Sequence, residues 1–273
     1  MQTPQAGDQR VVRWAPVAFA AGAAVGVLGG MIGLGGAEFR LPLLIMLFGF
    51  AALQAVILNK ALSLVVVLTA LPARLAAVPL SALTPHWAVV VNLLLGSLAG
   101  AWIGASWATR MRSSTLYRVL AVLLILITGA LIANHVGTLH HVDMPTAATV
   151  TVGVVAGFFI GVVAAIMGVA GGELLIPTIV LLFGTDIKIA GSLSLAVSLP
   201  TMLVAFARYS RDGSFTVLRR HARLGLILAA GSVTGTVLGG LLLGVVPEVV
   251  LVPGLAVLLV LSSLKVWRHA TTG

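Results

Sequence analysis

The chain contains no cysteine. That excludes disulfides, thiol nucleophiles and cysteine metal sites, while leaving the compartment open. Charge is nearly as scarce. Asp, Glu, Lys and Arg make up 8% of the 273 residues, against about 25% in a soluble domain. Such a chain cannot cover a soluble surface, and no polar stretch is longer than a loop, so there is no room for a soluble domain. With 60% hydrophobic residues, the composition predicts a polytopic integral membrane protein of the all-α class. Acidic residues number only seven, and the formal net charge is +9. The basic residues sit in short loops between apolar runs, as the positive-inside rule produces, so the charge does not point to nucleic acid.

Glycine, by contrast, is plentiful, and one cluster of it organises the chain. Gly33-Leu34-Gly35-Gly36-Ala37-Glu38 leads into Pro42 and an apolar run. Gly168-Val169-Ala170-Gly171-Gly172-Glu173 leads into Pro177 and another. Gly33, Gly36, Glu38, Pro42, Leu47, Phe48 and Gly49 recur as Gly168, Gly171, Glu173, Pro177, Leu182, Phe183 and Gly184, always 135 positions on. Glycines inside a membrane span expose amides that lipid cannot satisfy. Such a break is tolerated where it lines a cavity and binds something there.

Each half reads as five apolar segments: 14–32, a short 39–50, 53–73, 87–108 and 116–133, then 147–167, a short 174–183, 187–206, 224–243 and 249–266. A full span needs about 20 residues, so the second segment of each half is too short to cross. These two are expected to be broken or re-entrant helices that meet at mid-membrane. Arg10 and Arg13 before the first run give it the look of a signal peptide. Its repeat counterpart lies deep inside the chain, which predicts a retained span instead. Gly96, Ser97, Gly100 and Gly104 recur as Gly231, Ser232, Gly235 and Gly239. Small residues every three or four positions predict close helix packing and no chemistry.

The basic loops are those around Arg110, Arg112 and Arg118, those around Arg208, Arg211, Arg219, Arg220 and Arg223, and the end with Lys265 and Arg268. Placing them in the cytoplasm puts both termini there. An odd number of segments per half then makes the halves opposite in orientation, an inverted repeat: 1–134, an extracytoplasmic linker 135–145, and 146–273. That architecture presents one central site alternately to either side.

Short helices starting at about Ala37 and Gly172 would offer unpaired amides and a partial positive charge of about half a unit each. The amides of Gly35, Gly36 and Ala37, with those of Gly171 and Gly172, make a candidate anion site; tight helix crossing is the plain alternative. Glu38 and Glu173 fall in the first turns. They are candidates for proton coupling, set against simple capping of the helix dipole or, for Glu38, a salt bridge to Arg40 or Lys60. Asn59 and Lys60 lie within the third segment, where a cation needs a partner, either an anionic substrate or Glu38, unless it snorkels to the headgroups. The corresponding place in the second half holds Ser192, Ser194 and Leu195, so the expected site takes its charge from one half and hydroxyls from the other. Arg74 and Arg208 end matching helices and are candidate mouth or gate residues, or ordinary interfacial arginines. His135, His140 and His141 lack a metal-ligand spacing, so no metal is expected. No other cofactor is implied, and no hydrolytic constellation is present, so an enzyme is not expected.

The duplicated run, Gly33 to Phe48 and Gly168 to Phe183, resembles the TauE/SafE sulfite exporter family of anion permeases. The later Gly-Ser pattern extends the resemblance over nearly the whole chain. The resemblance implies a bacterial inner-membrane carrier of sulfite, sulfonates and related organic anions, with the lipid bilayer and a small anion as partners. The family run often has three consecutive glycines; here Ala37 replaces one in the first half, Ala170 shortens the second, and Arg40 is unusual. The expected function is a secondary carrier, an exporter of small sulfur-containing anions, working by alternating access with protons as a coupling candidate. A carboxylate carrier, an anion channel and a non-transporting assembly factor are the rivals, and homo-oligomerisation is left open.

Overall fold

The structure is a computed structural model. It describes residues 6–32, 36–77, 80–136, 144–211, 215–241 and 248–272. Every regular element among these is helical: α1 (Ala6–Ile32), α2 (Ala37–Met46), α3 (Ala52–Ala77), α4 (Leu80–Leu83), a 3-10 turn Thr84–His86, α5 (Trp87–Arg110), α6 (Ser113–Val136), α7 (Thr146–Met167), α8 (Gly172–Phe183), α9 (Ile187–Tyr209), α10 (Thr216–Arg220), α11 (Ala222–Leu241) and α12 (Glu248–Thr272). All ten expected segments are helices. The short α4 and α10 were not expected, because four or five residues carry no readable period. Six helices among the described residues are long and apolar enough to cross a membrane; α8 and the stretch Ala15–Gly29 of α1 are shorter apolar helices. Of the expected linker 135–145, His135 and Val136 belong to α6, and residues 137–143, with His140 and His141 among them, lie outside the described set.

The breaks fall where the glycines predicted them. Gly36 precedes α2 with φ 67°, and Gly171 precedes α8 with φ 87°. Both angles lie in the left-handed region, where a Cβ would clash with the backbone. Pro42 and Pro177 sit one turn further on in their helices. Each lacks the N–H that would bond the carbonyl four residues back, which belongs to Glu38 or Glu173.

Helix pairing repeats between the halves with their roles exchanged. α1 packs on α11 and α5 on α7. A Cβ added at Gly96, Gly100 or Gly104 would strike the carbonyl of Val154, Phe158 or Val162 on α7. Added at Gly231, Gly235 or Gly239, it would strike Phe19, Ala23 or Val27 on α1, the residues 135 positions earlier. Glycine is therefore demanded by backbone contact on both pairs, the close approach the small-residue pattern predicts.

These contacts also fix direction. Contact positions rise together along α1 and α11 and along α5 and α7. The Ser97–Thr201 and Ser106–Arg208 hydrogen bonds make α9 parallel to α5. The start of α3 meets the start of α11 through the Phe50–His221 ring pair, centroids 4.9 Å apart. Tyr117, early in α6, reaches the backbone of Ala52. Because α6 follows α5 after a two-residue turn, α3, α6 and α11 begin at the end where α5 and α9 finish. Arg110, Arg112, Arg118, Arg208, Arg211 and the residues from Arg219 to Arg223 belong to that one end.

Candidate functional site

The site is built where α7 stops and α2 starts. Asn59 on α3 is fully buried. Its Nδ2 donates to the carbonyl of Ala37 at 3.0 Å, the first residue of α2, and to that of Met167 at 3.2 Å, the last of α7. One amide therefore joins the two breaks. Its Oδ1 accepts from Arg40 Nε at 3.0 Å.

The end of α7 is finished by α3. Val169 N–H bonds the Ala164 carbonyl and Gly168 N–H bonds that of Ala165, with Gly168 left-handed at φ 69°. This is the glycine-terminated helix ending in which two amides fold back on the last turn. Side chains add donors to the Ala164 and Ala165 carbonyls and supply the carbonyls of Gly168 and Val169. Lys60 Nζ donates to Ala164 at 2.8 Å and Val169 at 2.6 Å. Ser63 Oγ donates to Gly168 at 3.3 Å, and the Tyr209 hydroxyl to Ala165 at 3.0 Å. An ammonium at a helix C-terminus meets the negative end of the dipole. Lys60 is 0% exposed, so it faces the interior and does not snorkel. Its partners are backbone carbonyls, an outcome the sequence reading did not weigh.

Arg40 is 1% exposed. Besides Asn59 it donates to Ser63 Oγ and Ser232 Oγ, each at 3.3 Å, so its hydrogen-bond partners are all neutral. Ser232, read from sequence as a packing residue, is one of them. Its repeat counterpart Ser97 instead bonds Thr201, at 2.8 Å.

Glu38 and Glu173 lie at the starts of α2 and α8. Their carboxyls are electrostatic neighbours, with Arg40 as the near cation for Glu38 and Lys60 for Glu173. Glu38 Oε2 and both Glu173 oxygens are buried and accept no hydrogen bond. Two neighbouring carboxyls are compatible when one donates a proton to the other.

Other candidates are placed differently. Gly35 lies outside the described residues. Gly36, Ala37, Gly171 and Gly172 form the two helix starts, and the backbone bonds there begin only at Phe39 and Leu174 N–H, the general rule for a first turn. Ser192 and Ser194 are buried on α9, but their hydroxyls donate to their own helix, at Lys188 and Gly191. The structure does not bring them into hydrogen-bond contact with Asn59 or Lys60. Arg208 donates to Ser106 Oγ at 2.8 Å and, with Arg211, lies over the Trp102 ring. Arg74 falls in α3, and its side chain lies outside the described set. Ser63 and Tyr209 were not sequence candidates, and Arg40 entered only as an alternative salt-bridge partner of Glu38. Arg40 was findable, since a cation inside an apolar segment is as conspicuous as Lys60. Asn59→Leu is expected to lower stability by about 1–3 kcal/mol, because it strips donors from two helix breaks at once. Thermal unfolding in detergent measures it.

The arrangement defines a polytopic membrane protein with two helices broken around a buried polar centre, the class in which membrane transporters place their sites. The chain matches the family described as Sulfite exporter TauE/SafE over residues 2–131 and 153–272. It belongs to that family, which is one of membrane transporters and not of enzymes. Comparison with curated proteins and with solved structures returned no match.

Proposed function

We propose that the chain is a secondary carrier that exports small sulfur-containing anions, such as sulfite or organosulfonates, across a bacterial inner membrane by alternating access. The observation that carries this reading is the junction at Asn59. There the start of α2 meets the end of α7, and the buried carboxyls at the starts of α2 and α8 are electrostatic neighbours. Helix starts favour an anion through their free amides and positive dipole ends. The family description names sulfite, and the amides of Gly36, Ala37, Gly171 and Gly172 suit a tetrahedral or pyramidal oxyanion.

The halves 1–134 and 146–273 act in this reading as an inverted repeat. The exchanged glycine contacts support it, as do the opposed directions of α1, α3 and α11 against α5, α7 and α9. Both basic loops lie at one end, which supports a cytoplasmic assignment of that end and the two termini by the positive-inside rule. The two short helices also sit in unequal environments. Eight residues of α2 are buried, from Ala37 to Ile45, against only Leu175 and Ile179 in α8. Unequal burial of equivalent elements is what one access state of such a carrier has.

Glu38 and Glu173 give the coupling its sign. With both ionised, they balance Arg40 and Lys60. A bound anion would then leave the buried centre net negative, which is costly in low dielectric. Taking up a proton removes that cost, so anion and proton bind together. Glu38→Gln with Glu173→Gln is expected to abolish proton uptake on anion binding and flatten its pH dependence. Calorimetry in buffers of different ionisation enthalpy reads this directly.

The primary experiment is binding to the purified protein of sulfite, sulfoacetate, taurine, sulfate, acetate and chloride at two pH values. Preferential stabilisation by the sulfur oxyanions or sulfonates is the expected result. A response to acetate alone would make the protein a carboxylate carrier, and silence to every anion would remove the central anion site.

A further inference from the structure

Resting on the anion-carrier reading above, we propose that Arg40 is a specificity-determining charge, which with Lys60 gives the site a capacity of two negative charges. The argument begins with the surroundings of Arg40. It is buried, and its hydrogen bonds run to Asn59, Ser63 and Ser232, all neutral. Guanidinium stays protonated in proteins. A permanent charge at membrane depth calls for a counter-charge, and the nearest one is Glu38.

The charged groups at the centre are few. From α2 come Glu38 and Arg40, from α8 Glu173, and from α3 Lys60. The Tyr209 hydroxyl on α9, bonded to Ala165, is the neighbouring neutral group that can titrate. With both carboxylates ionised the four charges sum to zero. Protons from water can neutralise each carboxylate in turn. When both are protonated, Arg40 and Lys60 remain, and two positive charges match one doubly charged anion with no residual charge. Without Arg40 only Lys60 remains, and a dianion would sit in the buried centre one charge in excess.

The second half cannot make up the loss. The residues that follow Arg40 and Lys60 by 135 positions are Leu175 and Leu195. Both fixed cations therefore come from the first half. Lys60 is also held by two carbonyls at the end of α7, so its charge is pinned in place. Arg40 has a guanidinium of five N–H donors and three hydrogen bonds to neutral side-chain oxygens. That leaves it donors to turn toward a bound oxyanion. Its side chain starts one turn into α2 and, as helical side chains do, leans back toward the helix start where the anion is placed.

The test uses two sulfonates of different charge, methanesulfonate as monoanion and sulfoacetate as dianion, with full-length protein in detergent and calorimetry in two buffers. The wild type is expected to bind both, taking up one more proton with sulfoacetate than with methanesulfonate. Arg40→Gln keeps a hydrogen-bonding side chain beside Asn59 but no charge. It is expected to keep methanesulfonate binding within a few-fold and weaken sulfoacetate by about 100-fold or more. Arg40→Lys restores the charge and is expected to recover sulfoacetate binding. Equal loss of both ligands in Arg40→Gln, with the thermal transition intact, would reduce Arg40 to a structural role and overturn the proposal. Equal retention of both would overturn it too, as would failure of Arg40→Lys to recover the dianion. If the wild type binds neither sulfonate, the anion-carrier reading itself falls and takes this inference with it. A wild type that binds both while Arg40→Gln does not discriminate sinks the Arg40 proposal alone.

Discussion

Gly100→Ala is expected to leave little folded protein. The methyl group would point into the carbonyl of Phe158 on α7. A carbonyl in helical backbone cannot rotate away as a side chain can, so α5 and α7 must separate. Gly96, Gly104, Gly157 and Gly161 hold those helices at the same contact distance, so separation at one glycine loosens the whole face. Overpacking of a close-packed interior costs about 1–3 kcal/mol, and loss of the neighbouring contacts takes the expected cost toward the upper end or beyond. Gly129→Ala, in α6, is the control. Nothing lies within 4 Å of its added Cβ, and alanine gains about 0.5–1 kcal/mol of helix propensity over glycine. Yield of monodisperse protein and the midpoint of thermal unfolding in detergent should fall sharply for Gly100→Ala and hold or rise for Gly129→Ala. Equal behaviour of the two variants would show that the α5–α7 approach is not set by backbone contact. The same contrast is expected at Gly235, whose Cβ would meet the carbonyl of Ala23.

Lys60→Leu, which installs the residue found at the equivalent place as Leu195, is expected to destabilise the protein by about 2–5 kcal/mol. It removes the ammonium from the Val169 carbonyl and from that of Ala164, which keeps the Val169 N–H. A carbonyl without a partner at membrane depth is costly, because lipid offers no donor. The loss is offset in part, since a buried ammonium is no longer held out of water. Lys60→Arg keeps the charge and the donors, and is expected to fall between wild type and Lys60→Leu. The unfolding midpoint checks the order. A Lys60→Leu protein as stable as wild type would mean that the end of α7 finds other partners, and that the charge of Lys60 is free to serve an anion alone.

Much of the fold was legible in the chain. Hydropathy and length give the ten main helices, because a segment in lipid must satisfy its own backbone and does so only as a helix. The recurrence every 135 residues of Gly36, Glu38, Pro42 and Gly49 gives the positions of the breaks. It does so because positive φ, a first-turn carboxylate and a missing N–H are local demands that specific residue types meet. Gly49 and Gly184 confirm the rule at φ 67° and 62°, where α2 and α8 give way to the next connection. Lys60, Asn59 and the two glutamates stood out for a second reason: a polar or charged side chain inside an apolar run needs a partner.

The sequence by itself determined that this is an all-helical membrane protein of two similar halves, with two short helices broken at glycine and a handful of buried polar groups. Those properties follow from residue type, spacing and length, which act over a few turns of chain. Which groups those polar side chains meet was decided only by tertiary structure. Lys60 reaches carbonyls 104 and 109 residues away. Arg40 finds a serine 192 residues on, and the Glu38 carboxyl neighbours that of Glu173. The physical reason is that a hydrogen bond is satisfied by any acceptor within about 3 Å, and sequence spacing says nothing of distance once helices from opposite halves pack together. Hence Ser192 and Ser194, suited by type to the site, spend their hydroxyls on their own helix. Ser63 and Tyr209, unremarkable in the sequence, help close the end of α7.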